Sequence, residues 1–219
     1  MTKNYPSEEY YKNLNYYKDM QKNGYHLIDG RRRDPKDVYD GKSTLAFAPI
    51  IKEIIKNENI KNMIDYGCGK GNFYNNGFNL GNKIIPPLRK LWDIDIKLYD
   101  PCYEKCSKFV RDKTFDLTIC IDALEHIPET DIEWILDTFF RISNKFIFIN
   151  VACYDAIALL PDGENAHINI QKPIWWSNKI EKLLKTQTGL KVICICTIKD
   201  HGKIKHIPLE YGCKIKEYL

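Results

Sequence analysis

Apolar residues recur along the chain with two periods, and stretches of the two kinds alternate. Spacings of three and four predict helices over residues 44–58, around 132–140 and around 180–184. Mainly apolar runs without that spacing predict strands at residues 62–66, 96–99, 115–121, 145–152 and 191–198. Because strands alternate with helices, we expect an α/β fold with a doubly wound, mostly parallel sheet and helices on both faces.

The last strand departs from this alternation. The run that ends at Ile198 is followed by the turn Asp200-His201-Gly202-Lys203 and then by a second run from Ile204 to Tyr211. Two β-like runs joined by a tight turn predict a hairpin. We therefore expect a C-terminal antiparallel hairpin at one end of the sheet.

The N-terminal part also differs from the rest. Ser7, followed by two glutamates, is a typical cap for an amphipathic helix over residues 7–23, in which Tyr10, Leu14 and Tyr17 share one face. Residues 24–44 are rich in glycine, aspartate and proline and show neither period, which predicts a long loop. We divide the chain into an N-terminal helix and lid segment, residues 1–43, and one domain, residues 44–219.

Composition narrows the classes of partner only slightly. The 219 residues carry a net charge of +4, and the basic residues are scattered along the chain. Arg31, Arg32 and Arg33 are followed by aspartates, which favours an ion-paired loop over a phosphate clamp. Eight cysteines without a CxxC motif, together with the lack of a signal-like or membrane-length apolar run, predict a cytoplasmic protein with reduced thiols and no membrane association. The oligomeric state is left open.

A glycine-rich loop follows the first predicted strand of the domain. Residues 65–71 read DYGCGKG, with glycines at Gly67, Gly69 and Gly71 and an acid two positions before the first of them. Ligands of open α/β sheets bind beyond the carboxyl ends of the strands, where such a turn lets backbone approach them. A dinucleotide site would have the wider G-x-G-x-x-G spacing, which this loop lacks.

In this loop the chain resembles the class I S-adenosylmethionine-dependent methyltransferases, over about residues 44–212, and the resemblance implies a Rossmann-like fold. It implies that Asp65 positions the amino-acid part of the cofactor, that the loop Gly67-Cys68-Gly69 passes close to it with Gly71 completing the motif, and that Asp100, followed by Pro101, binds both ribose hydroxyls. A carboxylate suits a vicinal diol because its two oxygens accept two O–H donors.

The resemblance also exposes two departures from the family pattern. The segment between Gly71 and Asp100 is long and contains Pro86-Pro87, so the first helix is expected to be broken or followed by an extra loop. Few residues separate Asp100 from Phe115, so the third strand is expected to be short or missing. The source of the adenine contacts is therefore open.

A second polar cluster follows the fourth strand, in the sequence IDALEHIPE. The resemblance implies that Ile121, Asp122 and Ala123 line the methionine half of the cofactor and face the acceptor. Glu125 and His126 are candidates for acid, base, metal ligand or loop contact. A loop further on carries LPDG, NAH and a pair of tryptophans, a combination similar to that of small phage and bacterial methyltransferases.

Methyl transfer to a hydroxyl needs a base, and a histidine suits that task. His167 is the first candidate and His126 the second. No close spacing of ligands predicts a metal, although Asp122, His126 and His167 together could hold a divalent cation.

These features predict an enzyme that uses S-adenosylmethionine, with S-adenosylhomocysteine as product, to methylate an oxygen or nitrogen of a small molecule such as a sugar, a nucleotide-linked or a phosphorylated metabolite. A nucleic-acid methyltransferase is the weaker alternative, because DALE stands where amino-methylating enzymes of that class carry an N/D-P-P-Y-like motif. A dinucleotide-binding or non-catalytic protein of the same fold is the other alternative.

Overall fold

The computed structural model describes residues 6–80, 83–110, 112–186 and 189–219. The α-helices of these residues are α1 (Glu8–Asn23), α2 (Ser43–Asn57), α3 (Asn72–Asn75), α4 (Leu88–Trp92), α5 (Glu129–Ile142) and α6 (Pro173–Leu184). The strands are β1 (Tyr25–His26), β2 (Arg32–Arg33), β3 (Asn62–Tyr66), β4 (Phe78–Leu80), β5 (Lys83–Ile85), β6 (Asp95–Tyr99), β7 (Phe115–Ile121), β8 (Ser143–Ala152), β9 (Lys191–Asp200) and β10 (Lys203–Tyr211). The long helices and sheet strands begin and end close to their predicted bounds, except that α6 begins at Pro173, well before the predicted stretch.

The central sheet has the strand order β10-β9-β8-β7-β3-β6. Neighbouring strands from β6 to β9 run parallel, and β10 runs antiparallel to β9 at one edge. The predicted α/β fold, with its mostly parallel sheet and C-terminal hairpin, is confirmed. The order places the ends of β3, β6 and β7 side by side, which brings three loops of the chain together.

The two irregular stretches are also found where the sequence predicts them. After the glycine loop the chain forms the single turn α3, the small hairpin of β4 and β5, and the short helix α4 in place of one continuous helix. In the described residues between β6 and β7 there is a 3-10 turn at Glu104–Cys106 and no strand. The sheet therefore ends at β6 on that side.

Alternate side chains of the central strands point to opposite faces of the sheet. Ile119 and Phe148 pack with α2 and α4 on one face, whereas Cys120 and Ile147 pack with α5 and α6 on the other. The cysteines of the strands are free thiols in these apolar layers, as the sequence predicts. No helix in the described parts of the chain combines the length and the apolar character that crossing a lipid bilayer requires.

Helix α1 lies against the α5 side of the domain and covers the carboxyl ends of the strands. Its cap residue Ser7 accepts a hydrogen bond from the backbone N–H of Tyr10 at 3.1 Å and donates its own hydroxyl proton to Asp131 at the start of α5. The Tyr10 ring packs edge-on against Trp134, with 5.4 Å between centroids. The division of the chain at residue 43 stays a prediction, although α1 shares the core of the domain.

Candidate functional site

A cavity lies at the carboxyl ends of β3, β6 and β7, beneath α1 and the loop that precedes α2. The space between its lining residues, counted together with the mouth that opens to solvent, is about 950 Å³. We call it the main cavity. The sheet side of its wall includes residues predicted to bind the cofactor, namely Gly67, Cys68, Gly69, Asp100, Pro101, Ile121, Asp122 and Ala123.

Two residues of that prediction, Asp65 and Gly71, lie behind the wall of the main cavity. Asp65 is buried at the end of β3, where its Oδ2 accepts a hydrogen bond from the Tyr74 hydroxyl at 2.6 Å. Burial, partly offset by that hydrogen bond and reinforced by Asp100, raises the pKa of Asp65 to about 7. Asp65 therefore holds α3 against the sheet and so helps to shape the glycine loop.

The middle glycine of the loop is required by protein packing. Gly69 has φ +57°, and a Cβ built on it would lie 2.2 Å from the carbonyl oxygen of Tyr39. The next residue, Lys70, donates its backbone N–H to that same carbonyl at 2.7 Å. The loop before α2 thus lies directly on the glycine loop, and only a glycine allows the two backbones this close.

Asp100 lies at the end of β6 with its carboxylate directed at the glycine loop. Its Oδ2 accepts the backbone N–H of Gly69 at 2.9 Å, and its Oδ1 accepts that of Cys102 at 2.8 Å. Burial raises the pKa of Asp100, and these hydrogen bonds oppose the rise. Oδ2 keeps a further lone pair for an incoming donor.

Gln21 of α1 reaches the same carboxylate from above, with Nε2 at 3.5 Å from Asp100 Oδ1. Its other polar atom, Oε1, is buried and has no hydrogen-bond partner. Both side chains line the main cavity. A buried acceptor without a donor, beside a carboxylate, fits a ligand that carries neighbouring hydroxyl groups, as the ribose of S-adenosylmethionine does.

Helix α1 supplies two cavity residues, Asn13 and Gln21, that the sequence did not single out. Asn13, Leu14, Tyr17 and Gln21 line the main cavity together with Tyr10. Their spacing along an amphipathic helix was the available signal, but it did not say which element the helix would cover. Tyr39, from the predicted lid segment, and Ser43, at the start of α2, also line the cavity. The three consecutive arginines do not line it, and Arg31 is paired with Asp29 at 2.7 Å.

The residues after β7 form the second half of the site. Asp122 has φ +55°, an uncommon conformation for a residue with a side chain. Its Oδ2 accepts a hydrogen bond from the Ser43 hydroxyl at 2.7 Å. Burial alone would raise the pKa of Asp122, but His126, Glu125, Ser43 and His167 together outweigh it and lower that pKa. Asp122 is therefore a carboxylate at neutral pH.

The two predicted histidines lie next to each other, with 4.9 Å between ring centroids. His126 lines the main cavity, but its Nδ1 is 2.9 Å from both the Tyr17 hydroxyl and the carbonyl oxygen of Ala166. Burial, with the neighbouring His167, lowers the pKa of His126 to about 4. A neutral imidazole so weakly basic, and tied to α1, serves to position the loop better than to take a proton.

His167 reaches the site from the loop after β8. Its Nδ1 lies 2.5 Å from the carbonyl oxygen of Tyr154, which can only accept, so this nitrogen carries the proton and Nε2 keeps its lone pair. His167 lines a shallow cavity beside the main one rather than the main cavity itself, and Asn13 borders both. Besides His126, its side-chain neighbours include Asp122 and Glu125.

The tryptophan pair has a structural role. Trp176 is fully buried in the layer between α5, α6 and the sheet, and the rings of Trp175 and Trp176 meet edge-on at 4.9 Å. This arrangement favours packing at the start of α6 over stacking on a ligand.

Comparison with known proteins agrees with this geometry. The model of a family described as a methyltransferase domain matches residues 39–194, which include the loop before α2, the glycine loop, Asp100 and both polar loops of the second half. None of the curated proteins compared with the chain is significantly similar to it in sequence. Because the match covers well over half of its residues, the chain belongs to this methyltransferase domain family.

Proposed function

We propose that this methyltransferase takes the methyl group of S-adenosylmethionine and transfers it to an oxygen or nitrogen of a small polar molecule, such as a sugar, a nucleotide-linked or a phosphorylated metabolite. One observation carries the proposal. The main cavity is covered by α1 and by the loop before α2, and a covered cavity suits a small acceptor better than a nucleic-acid strand.

The family implies S-adenosylmethionine as the cofactor, and different residues of the main cavity would bind its different parts. Asp100 and Gln21 would bind the ribose hydroxyls, because one offers carboxylate lone pairs and the other a buried free acceptor. The backbone of Gly67 and Gly69 would border the amino-acid part. Leu14 and Pro101 line the same cavity, and their apolar edges would contact the adenine ring of the cofactor.

Methyl transfer is an in-line displacement at the sulfonium carbon, so the protein must orient the lone pair of the acceptor and exclude competing water. Asp122 faces the cavity as a carboxylate and can accept a hydrogen bond from an acceptor O–H or N–H. His167 is the better candidate for a base, since its Nε2 keeps a lone pair, whereas burial lowers the pKa of His126 to about 4 and the Tyr17 hydroxyl ties that ring to α1.

Calorimetry of the full chain tests the cofactor part of this proposal. We expect S-adenosylhomocysteine to bind one site per chain and NAD to give no heat. Binding of NAD without S-adenosylhomocysteine would replace the proposal with a dinucleotide-binding function.

The acceptor class is tested by methyl transfer from a tritiated donor to a panel of sugars, nucleotide-linked metabolites and phosphorylated metabolites. We expect label in a small-molecule fraction. Label that enters only DNA or RNA, together with binding that falls steeply with salt, would assign the enzyme to nucleic acid instead.

A further inference from the structure

Three potential ligands meet between the main cavity and its shallow neighbour. One oxygen each of Asp122 and Glu125 and one ring nitrogen of His167 lie within 4.8 Å of one another. Ligands around a single first-row metal ion are about 3–4 Å apart, since each lies about 2.0–2.2 Å from the ion. Small rotations of the side chains are enough to bring the three ligand atoms from within 4.8 Å to that spacing.

Glu125 is the unexplained member of this group. Its side chain is fully buried; Oε1 accepts the backbone N–H of Ala152 at 2.8 Å, whereas Oε2 has no hydrogen-bond partner. A buried carboxylate oxygen without a donor is costly unless something positive or protonated faces it. The groups beside it are Asp122 and His167, and burial, reinforced by the charge of Asp122, raises the pKa of Glu125.

The two loops that carry these residues are held together by backbone contacts. The N–H of Asn169 donates to the carbonyl oxygen of Glu125 at 3.0 Å. Asn165 accepts the N–H of His167 at 2.9 Å, and the carbonyl of Tyr154 fixes the imidazole through Nδ1. Metal-binding histidines commonly donate their second nitrogen to such an acceptor, which orients the ring and leaves the other nitrogen for the ion.

We propose that Asp122, Glu125 and His167 bind a divalent transition-metal ion such as Mn²⁺ or Zn²⁺. Two carboxylates and an imidazole suit these ions, whereas a site for Mg²⁺ or Ca²⁺ would be built of oxygen ligands alone. The ion binds Oε2 of Glu125 and offsets the charge of Asp122, which together with burial otherwise keeps Glu125 protonated.

The position of the ion would also restrict the range of molecules that can serve as methyl acceptor. Three protein groups leave coordination positions free on a four- to six-coordinate ion, and Asp122 borders the main cavity. On the proposed function, on which this step rests, the free positions would take oxygen atoms of an acceptor hydroxyl or diol. His167 would then hold the ion rather than remove a proton.

The sequence places these ligands on two loops that are separated by about forty residues, so their spacing predicts no metal site. The site follows from the strand order, since β7 and β8 are neighbours and their loops emerge side by side.

Binding of Mn²⁺ to the full, tag-free chain, followed by the loss of the EPR spectrum of the free aqua ion and by calorimetry, tests the proposal directly. We expect one Mn²⁺ per chain, and at least a tenfold weaker binding in Glu125→Gln and His167→Asn. The glutamine keeps an acceptor for Ala152 but loses the charge, and the asparagine keeps a donor near Nδ1 but loses Nε2. His201→Asn, in the exposed hairpin turn, is the matched control and should bind Mn²⁺ as the wild type does.

Wild-type protein that binds neither Mn²⁺ nor Zn²⁺, or variants that bind them as tightly as the wild type, would overturn the metal site. If Glu125→Gln does not fold, as judged by circular dichroism, the result for His167→Asn decides alone. Binding of S-adenosylhomocysteine is measured on each protein in parallel. A chain that binds it but binds no metal retains the proposed function without this inference, whereas a chain that binds metal but not S-adenosylhomocysteine retains the metal site and loses the proposed function.

Discussion

The two halves of the main cavity are built by different means. On the side of β3 and β6, backbone forms the site: a loop of glycines with positive φ, in which Asp100 accepts the N–H of Gly69. On the side of β7 and β8, side chains from two distant loops and from α1 converge. A site made of local backbone has a signature in a short stretch of sequence, whereas a site made of converging side chains exists only once the strands are ordered.

The largest effect is expected where the backbone half is most crowded. In Gly69→Ala the new Cβ would meet the carbonyl oxygen of Tyr39 at 2.2 Å, and φ would be +57°. Because neither backbone can move without losing the hydrogen bond from Lys70, we expect binding of S-adenosylhomocysteine to fall at least a hundredfold in calorimetry. Gly202→Ala is the control, since it has φ +77° but nothing within 4 Å. If Gly69→Ala behaves like Gly202→Ala, the close approach of the two loops is not what the glycine serves.

Asp65 allows the backbone half to be tested through stability instead of binding. Its pKa is about 7 in the folded chain, against an ordinary value of 3.8. As the pH rises from about 4 to about 7, the unfolded chain loses the Asp65 proton while the folded chain keeps it, so folding stability falls over this window by at most about 4 kcal/mol.

Asp65→Asn cannot ionise but keeps an oxygen for the Tyr74 hydroxyl. We therefore expect its free energy of unfolding, from urea titrations at several pH values, to rise relative to wild type between pH of about 4 and about 7. The exposed Asp112→Asn should show no such trend. A constant difference between Asp65→Asn and wild type at all pH values would mean that Asp65 is ionised in the folded chain.

Asp100 is expected to have the next largest effect, because it serves both the loop and the ligand. Asp100→Asn removes the charge that would accept two hydroxyl groups, and charge-assisted hydrogen bonds are worth about 1.5–3 kcal/mol. We expect S-adenosylhomocysteine to bind about 10–100-fold more weakly. Asp95→Asn, at the exposed start of the same strand, should bind as the wild type does. Equal affinities for Asp100→Asn and wild type would remove Asp100 from the ribose site.

The contrast between local backbone and converging side chains explains which features could be predicted from the sequence. The strands around DYGCGKG and the C-terminal hairpin follow from apolar periodicity, and the shortened connection before Phe115 is visible in its length. Asp65 and Gly71 were predicted at the cofactor but lie behind the cavity wall, because a motif fixes the position of a loop and not the direction of each side chain. The contacts of Gln21 and Tyr17 depend on where α1 docks, which no local pattern encodes.

The smallest expected effect lies in the contact between the two halves and α1. The Tyr17 hydroxyl donates to the carbonyl of Ala166 at 2.7 Å and lies 2.9 Å from Nδ1 of His126, so one atom ties the helix to both polar loops. Tyr17→Phe keeps the ring and loses these hydrogen bonds, which are worth about 1–2 kcal/mol together. We expect faster hydrogen exchange of the α1 amides, and an affinity for S-adenosylhomocysteine reduced about three- to tenfold because part of the roof opens.

Tyr11→Phe, on the exposed face of the same helix, is the matched control. Unchanged hydrogen exchange in Tyr17→Phe would show that apolar packing of Tyr10 and Tyr17 holds α1 in place without the hydroxyl. The position of α1 over the glycine loop would then not depend on these hydrogen bonds.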